Sequence, residues 1–476
     1  MRKKNTISDI TFIDLFAGLG GFHIALKELG CKCVFASELR DDLRALYKSN
    51  FPETLKIEGD ITKVDLTTIP HHDILCAGFP CQPFSQAGKR EGFKDSAGRG
   101  NLFDYICDVI SAQGDDKPSI LLLENVSNLR GHDEGRTWAT IKSRLDELGY
   151  YVRDEILSPH QYGYPQHRKR IYIVGIRKDC MEQRILDGFE FLSEDRSKLC
   201  DINTIIDEKD ENIQILSLKT HQQLKVWQDF ISEVKSHKGK IPTFPVWAME
   251  FGADYPCDGL APAFLKKSDL VGSKGKLGWE INGPSLIDCL NQLPIYAQTD
   301  TKERFPEWKI RYINQNREFY TKNKVWLDLW VKKIEDWDNS HQKFEWNCGS
   351  DGNGLIKDKI VQFRASGIRV KLPTYSPALN LVGTQVPIFP WIKLPLNCVP
   401  KYSDEELEKY GLTREDVMYG RYLSTKEAAK LQGMENLNFG SLPTTRIYES
   451  LGNAVNTQVV KKIASQLINV YCNGEN

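Results

Sequence analysis

A single cysteine at the end of a short apolar run is the residue of this chain most clearly suited to covalent chemistry. Residues 73–76 (DILC) read as a buried strand, and the motif AGFPCQPFS follows at residues 77–85. Cys81 therefore lies between a proline and a polar loop. A thiol at that position can act on a ligand held in a cleft.

Acidic and basic side chains adjoin two further predicted strands. Glu124 ends the continuously apolar run at residues 119–124, and Arg168 and Arg170 stand just before the apolar run at residues 171–176. Because side chains alternate between the two faces of a strand, the two arginines can point into one cleft.

The elements that must position these residues alternate between apolar strands and amphipathic helices from residue 10 to residue 180. This rhythm predicts an α/β fold with a doubly wound, mostly parallel sheet. The predicted strands cover residues 11–16, 33–38, 75–77, 119–124 and 171–176, and the predicted helices cover residues 20–29, 43–49 and 138–148.

A glycine-rich turn between the first strand and the first helix is suited to a nucleoside ligand. Gly18 and Gly20 allow a tight turn and a close approach of backbone to ligand. Glu38 closes the second strand, where a carboxylate can hold ribose hydroxyls, and Asp60 can accept a hydrogen bond from an adenine amino group. The turn lacks the dinucleotide fingerprint, and Phe16 leaves little room for a pyrophosphate. S-adenosylmethionine, an adenosine with an amino-acid tail, fits better.

Six segments of the chain together resemble the motifs of the DNA cytosine-5 methyltransferases, in that family's order. The resemblance covers about residues 1–180 and 421–471, and it implies a class I S-adenosylmethionine-dependent methyltransferase fold of the Rossmann-like type. The segments are DLFAGLGG at 14–21, GFPCQ at 78–82, ENV at 124–126, QHRKR at 166–170, RYLSTKEAAKLQG at 421–433 and LGNAV at 451–455.

The resemblance implies a role for each catalytic candidate. Carbon 5 of cytosine is too weak a nucleophile to attack a methyl sulfonium, so Cys81 would first add to carbon 6. Glu124 would protonate ring nitrogen 3 or share a proton with it. Arg168 and Arg170 would hold the base carbonyl, the adjacent phosphate and Glu124. The base that removes the carbon-5 proton is not identified.

The resemblance also extends the cofactor site to both ends of the chain. Pro80 would contact the cofactor beside the nucleophile, and Asn453 and Val455 match positions that complete the pocket. The C-terminal helix is therefore expected to pack beside the N-terminal strands. Leu39 departs from the pattern, since the family often has an aromatic residue there that stacks on adenine.

Double-stranded DNA is the substrate that the resemblance implies. The target base must leave the helix to reach such a cleft, and the loop at 85–101, which begins with Ser85, would close over it. Further DNA contacts are predicted at Arg364, Arg369, Lys371 and Thr384. The first three lie within residues 356–371, which carry five basic residues and one acid.

Length and composition allow two domains in a cytoplasmic protein. The chain has 476 residues and a net charge of −1, which argues against indiscriminate binding to nucleic acid. It has no apolar run of bilayer length and no zinc-spaced cluster, so neither a membrane partner nor a metal is predicted.

We expect a catalytic domain at 1–185 plus 421–476 and a target-recognition domain at 186–420. In the latter, Trp326, Trp330, Ile334 and Trp337 recur at helical spacing and are predicted as the core face of one helix.

Two alternatives stay open at this point. One is an RNA cytosine-5 methyltransferase of the transfer-RNA type, although the long segment at 186–420 favours duplex DNA. The other is a non-catalytic DNA-binding relative, against which Cys81, Glu124 and the paired arginines argue. The family also suggests a monomer that serves as the modification enzyme of a restriction-modification system, with a cognate nuclease as a partner in that system.

Overall fold

The computed structural model describes residues 7–79, 102–180, 183–191, 200–349, 353–380 and 385–473. Four predicted site residues, Pro80, Cys81, Ser85 and Thr384, lie outside these ranges, as does the loop at 85–101. In the part of the chain that is described, every helix is too short or too polar to cross a bilayer.

The strands and helices follow the predicted alternation closely in the N-terminal part of the chain. Short 3₁₀ helices connect many of them. The strands are β1 (Thr11–Leu15), β2 (Lys32–Ser37), β3 (Ile57–Glu58), β4 (Ile74–Gly78), β5 (Ile120–Val126), β6 (Tyr150–Leu157), β7 (Gln166–His167), β8 (Arg170–Arg177), β9 (Val246–Trp247), β10 (Lys343–Asn347), β11 (Ile360–Arg364), β12 (Gly367–Lys371), β13 (Ser376–Pro377), β14 (Ile388–Lys393) and β15 (Tyr419–Tyr422). The helices are α1 (Gly21–Glu28), α2 (Asp41–Asn50), α3 (Leu102–Ala112), α4 (Arg136–Glu147), α5 (Gln183–Asp187), α6 (Leu218–Ser236), α7 (Lys267–Leu270), α8 (Leu286–Leu290), α9 (Glu307–Val331), α10 (Asp404–Lys409), α11 (Thr425–Gln432), α12 (Thr444–Asn453) and α13 (Thr457–Asn473).

A seven-stranded sheet with the order β3-β2-β1-β4-β5-β8-β6 forms the centre of the first compact unit. The five strands from β3 to β5 are parallel, and β8 runs antiparallel to both β5 and β6. The strand order reverses beside β1, where β2 lies on one side and β4 on the other. In a parallel sheet, ligands bind at the carboxyl edge next to such a reversal.

Helices cover both faces of this sheet, which confirms the predicted doubly wound α/β fold. Alternate residues of the central strands point to opposite faces, so that Leu122 of β5 joins one core and Leu121 the other. The first core includes residues of α1 and α13, which confirms that the C-terminal helix packs beside the N-terminal strands. The second core includes residues of α3 and α4.

The second compact unit contains a six-stranded sheet with the order β15-β14-β11-β12-β10-β9. Its strands pair antiparallel except for β10 and β12. The predicted aromatic core is confirmed, because Trp326, Trp330, Ile334 and Trp337 are all buried in one cluster. The prediction of a single helix is wrong for the last two residues, since α9 ends at Val331 and the chain then turns.

The two units are not continuous along the chain. The first comprises Met1–Asp207, Thr374–Thr384 and Thr425–Asn476, and the second comprises Glu208–Pro373 and Gln385–Ser424. The short segment from 374 to 384 falls within the range expected for target recognition. It belongs to the first unit because β13 pairs with β7 and Ser376 N donates to Pro165 O at 2.7 Å. The recognition role of the second unit stays a prediction.

Gly452 near the end of α12 tests how tightly the first unit is packed. A Cβ there would lie 2.2 Å from the Asn380 carbonyl oxygen, a backbone atom that cannot rotate away. We expect Gly452→Ala to lower the free energy of unfolding by about 1–3 kcal/mol in urea denaturation. The control is Gly131→Ala, where no atom of the described residues lies within 4 Å of the added Cβ, and it should change that free energy by less than about 0.5 kcal/mol. Equal stability of the two variants would contradict this packing.

Candidate active site

The glycine-rich turn after β1 is held in a strained, open conformation. Phe16 and Gly18 both have positive φ angles, of 58° and 53°, and such a conformation is costly for a phenylalanine. Among the described residues, the atom nearest to a Cβ at Gly18 would be the Phe16 carbonyl oxygen at 4.0 Å, so this part of the turn is not packed against a side chain there. A Cβ at Gly20 would lie 2.5 Å from the Phe51 ring. Gly20 therefore serves packing, and the role of Gly18 in binding a ligand stays a prediction.

Glu38 links this turn to the chain that follows β2. Its Oε2 accepts a hydrogen bond from the Gly18 amide at 2.8 Å, and its Oε1 accepts one from the Arg40 amide at 2.9 Å. The side chain is 8% exposed. Each carboxylate oxygen has a second lone pair, so Glu38 can still accept bonds from a diol at the sheet edge.

Asp60 lies just after β3, the outermost parallel strand. Its Oδ1 accepts hydrogen bonds from the Thr62 amide at 3.1 Å and the Thr62 hydroxyl at 2.8 Å. These bonds, led by the one from the hydroxyl, lower the pKa of Asp60. The carboxylate is therefore ionised, and Oδ2 lies 3.7 Å from the Lys63 amine.

The C-terminal segment forms a wall beside the same turn. Val455 is buried, and a Cβ at Gly21 would lie only 2.6 Å from its carbonyl oxygen. A Cβ at Gly78 would lie 3.1 Å from Val455 Cγ2. Asn453 is exposed at the end of α12, where its Nδ2 donates to the Glu449 carbonyl at 2.9 Å. A glycine at 21 is therefore required for this close approach, while a Cβ at 78 would make the Val455 methyl group shift by a few tenths of an ångström.

Glu124 and Arg170 form a nearly buried ion pair on adjacent strands. Arg170 Nε lies 3.1 Å from Glu124 Oε1, and their side chains are 15% and 9% exposed. Burial raises the pKa of Glu124 above its ordinary value of 4.5, although the charges of Arg170 and Arg168 oppose that shift. A carboxyl group in this state can supply a proton to a bound base.

Asn125, to which the sequence analysis gives no role, holds the chain just before the predicted nucleophile. Its Nδ2 donates to the Phe79 carbonyl oxygen at 3.1 Å. Gly78 stands opposite Glu124 in the β4–β5 register, and a Cβ there would lie 4.0 Å from Glu124 Oε2. The backbone that leads to Cys81 therefore leaves the sheet beside Glu124. The signal in the sequence was an amide side chain directly after that acid.

Arg168 makes contacts that differ from those implied by the resemblance. Its guanidinium is buried and donates to the Gly452 carbonyl at 2.9 Å and the Ala454 carbonyl at 2.8 Å. Burial, with Arg170 close by, lowers the pKa of Arg168 to about 9. Arg168 thus ties the strand entry that carries Arg170 to the C-terminal wall.

The predicted DNA contacts of the second unit share one polar face of its sheet. Arg364 Nη2 lies 2.8 Å from Glu345 Oε1, and Arg369 Nη2 lies 2.9 Å from Glu345 Oε2. Lys371 follows on the same face of β12, and burial lowers its pKa to about 8. Glu345, which the sequence analysis missed, therefore orients both arginines.

A family model described as C-5 cytosine-specific DNA methylase matches residues 10–469, which is nearly the whole chain. The chain belongs to this family. Its sheet, with five parallel strands and an antiparallel β8, has the class I methyltransferase fold, and family and fold together imply the use of S-adenosylmethionine.

Curated relatives of this methylase family share its sequence over part of their length. The chain is 46% identical over 177 residues to the type II methyltransferase M.HhaI of Haemophilus parahaemolyticus, covering 37% of this chain and 52% of that protein. It is 41% identical over 238 residues to M.DsaV of Dactylococcopsis salina, covering 50% and 62% respectively. M.HpaII of Haemophilus parainfluenzae is 47% identical over 178 residues, 37% of this chain and 48% of the relative. The matches thus span about half the length of these relatives.

Arg170 is expected to tune the protonation of Glu124. Arg170→Met removes a charge that opposes the effect of burial, so the pKa of Glu124 should rise further. A group with a raised folded-state pKa stabilises the fold fully below its ordinary pKa, here 4.5, and loses that contribution as pH rises through the folded-state value. Arg170→Met should therefore lose more stability than the wild type as pH rises above 4.5, measured by urea denaturation across pH.

The matched control for this prediction is Arg170→Lys, which keeps the positive charge beside Glu124. It should show a dependence of stability on pH close to that of the wild type. If Arg170→Met and the wild type have the same dependence, Arg170 does not set the pKa of Glu124.

Proposed function

We propose that this chain transfers a methyl group from S-adenosylmethionine to carbon 5 of a cytosine in a specific short sequence of double-stranded DNA. The observation that carries the proposal is the buried Glu124–Arg170 pair beside the backbone that leads to Cys81. An acid with a raised pKa, on the strand beside the one from which the chain continues to a candidate thiol nucleophile, suits addition to a pyrimidine.

The covalent step uses the chain's own side chains. The Cys81 thiolate forms a bond to carbon 6 of the cytosine, and the ring's electrons move toward nitrogen 3. Glu124 gives or shares a proton at nitrogen 3, which converts carbon 5 into an enamine nucleophile. After methylation, a base removes the carbon-5 proton, Cys81 leaves carbon 6 as a thiolate, and the proton at nitrogen 3 returns to Glu124, so that neutral 5-methylcytosine is released. Arg170 holds Glu124 in position and faces the base.

The cofactor supplies an electrophilic methyl group on a sulfonium when it is bound. The proposed holding residues suit it because Gly18 leaves open space, while Glu38 and Asp60 provide carboxylates after neighbouring parallel strands. Phe16 and Gly20 shape the turn. Val455 closes the opposite wall, Asn453 stands at the rim, and Pro80 would complete the site beside Cys81.

Recognition of DNA is assigned to the second unit and to the loop at 85–101, which begins with Ser85. The cytosine must flip out of the duplex to reach Glu124 and Cys81. Arg364, Arg369 and Lys371 share a sheet face with a net positive charge, which suits phosphates or a guanine edge. Thr384 is proposed to lie beside the target base.

The names of the relatives support a place in a restriction-modification system. M.HhaI and M.DsaV are both described as type II methyltransferases. We therefore propose that this chain is a modification enzyme that acts as a monomer in the cytoplasm and protects DNA from a cognate nuclease.

The first test is Cys81→Ser, compared with the wild type and with Cys472→Ser, whose thiol is exposed. Each chain is expressed in a host without endogenous cytosine-5 methylation, and plasmid DNA is analysed by bisulfite sequencing. We expect protected cytosines at one recurring sequence with the wild type and with Cys472→Ser, and none with Cys81→Ser.

Two results would contradict the proposal. Protection by Cys81→Ser at the wild-type level would exclude Cys81 as the nucleophile. Absence of protection with the wild type would exclude DNA methylation, and the same assay on transfer RNA would then test the RNA alternative.

Glu38→Gln tests the proposed cofactor site without any methyl transfer. An amide has one acceptor oxygen, so it cannot accept from both the Gly18 and Arg40 amides and also hold ribose hydroxyls. We expect S-adenosylhomocysteine to bind at least about tenfold more weakly, as measured by calorimetry. Glu147→Gln, at an exposed site on α4, is the control and should bind like the wild type. Unchanged affinity in Glu38→Gln would contradict the assignment.

A further inference from the structure

Four charged side chains from two distant parts of the chain form a closed ring. Arg40 contacts Asp42 at 2.9 Å and Glu449 at 3.0 Å, and Arg446 contacts Asp42 at 3.0 Å and Glu449 at 2.7 Å. Charges alternate around this charge ring, and each side chain is 29–35% exposed. About 400 residues of chain separate Arg40 and Asp42 from Arg446 and Glu449.

A residue from each part of the chain in the charge ring makes a backbone hydrogen bond with a proposed cofactor-binding residue. The Arg40 amide donates to Glu38 Oε1 at 2.9 Å, so the side chain of Arg40 fixes the backbone on which Glu38 depends. On the other half, the Glu449 carbonyl accepts from Asn453 Nδ2 at 2.9 Å. The ring therefore joins the loop behind Glu38 to the helix that ends at Asn453.

The ring remains fully charged at neutral pH. Hydrogen bonds, first from Arg40, lower the pKa of Asp42 to about 2, and Arg446 is the main cause of the lowered pKa of Glu449. Isolated ion pairs of this exposure contribute little to stability. In the closed ring, each carboxylate contacts both arginines, so all four side chains are ordered together. The main effect of the ring is therefore on the positions of the two chain segments that carry it.

We propose that the charge ring is a latch that sets the shape of the S-adenosylmethionine site, with Arg40 and Arg446 as its positioning residues. This inference rests on the proposed function. The latch holds Glu38 and Asn453 at the separation that the bound cofactor needs. Opening it leaves the chemical step intact and weakens binding of the cofactor.

The test is Arg446→Met, with Lys461→Met as the matched control. Lys461 pairs with Glu28 at 2.8 Å and also joins the C-terminal region to the N-terminal one, by linking α13 to α1. Both substitutions remove one partly exposed cation. We measure the dissociation constant of S-adenosylhomocysteine by calorimetry, then KM for S-adenosylmethionine and kcat.

We expect Arg446→Met to bind S-adenosylhomocysteine about fivefold more weakly and to raise KM equally, with kcat changed less than about twofold. Lys461→Met should match the wild type in both constants, and Arg446→Lys, which keeps the charge, should recover most of the affinity. Wild-type affinity should also fall with added salt, which screens the ring.

Three results would overturn the latch. The first is that Arg446→Met binds S-adenosylhomocysteine as tightly as the wild type, and the second is that Lys461→Met weakens binding as much as Arg446→Met does. The third applies if Arg446→Met does not fold: Glu449→Gln then binds with wild-type affinity, and the wild-type affinity does not change with salt. Failure of the folded wild type to bind S-adenosylhomocysteine would instead reject the proposed function.

Discussion

The close approach of Val455 to two glycines is the contact on which the geometry of the proposed site depends. A side chain at Gly21 would collide with the Val455 carbonyl, and one at Gly78 would press on its methyl group. The C-terminal segment can therefore reach the carboxyl edge of β1 and β4, which is the edge that carries the glycine-rich turn. Arg168 then fixes this segment through the Gly452 and Ala454 carbonyls.

Glu38 and Glu124, two carboxylates at this edge of the sheet, have different surroundings. Glu38 accepts bonds from two backbone amides, which hold it as a fixed acceptor. Within the described residues, Glu124 accepts no hydrogen bond from a backbone amide. It is buried beside Arg170, and burial raises its pKa. The first environment suits binding of hydroxyls, and the second suits proton transfer. The fold thus separates the proposed binding role of Glu38 from the proposed acid–base role of Glu124 along one row of strand ends.

The sequence predicts the first sheet well because its signals are local. The apolar run at residues 119–124 is short enough to favour a strand over a helix, and Glu38 and Glu124 both stand at the ends of predicted strands. By contrast, the contacts of Arg168 and the charge ring depend on residues hundreds of positions away, which no local pattern contains. The same limit explains why the prediction of one helix is wrong for Ile334 and Trp337. Both residues are buried at helical spacing, although α9 ends before them at Val331.

The proposed reaction depends on a covalent bond between Cys81 and the target cytosine. The most direct measurement is mass spectrometry of the protein after incubation with S-adenosylmethionine and a duplex in which 5-fluorocytosine replaces the target base. Because fluorine cannot leave as the carbon-5 proton does, we predict a stable adduct that peptide mapping assigns to Cys81. Methylated DNA from the same protein without an adduct at Cys81, or an adduct at another residue, would contradict it.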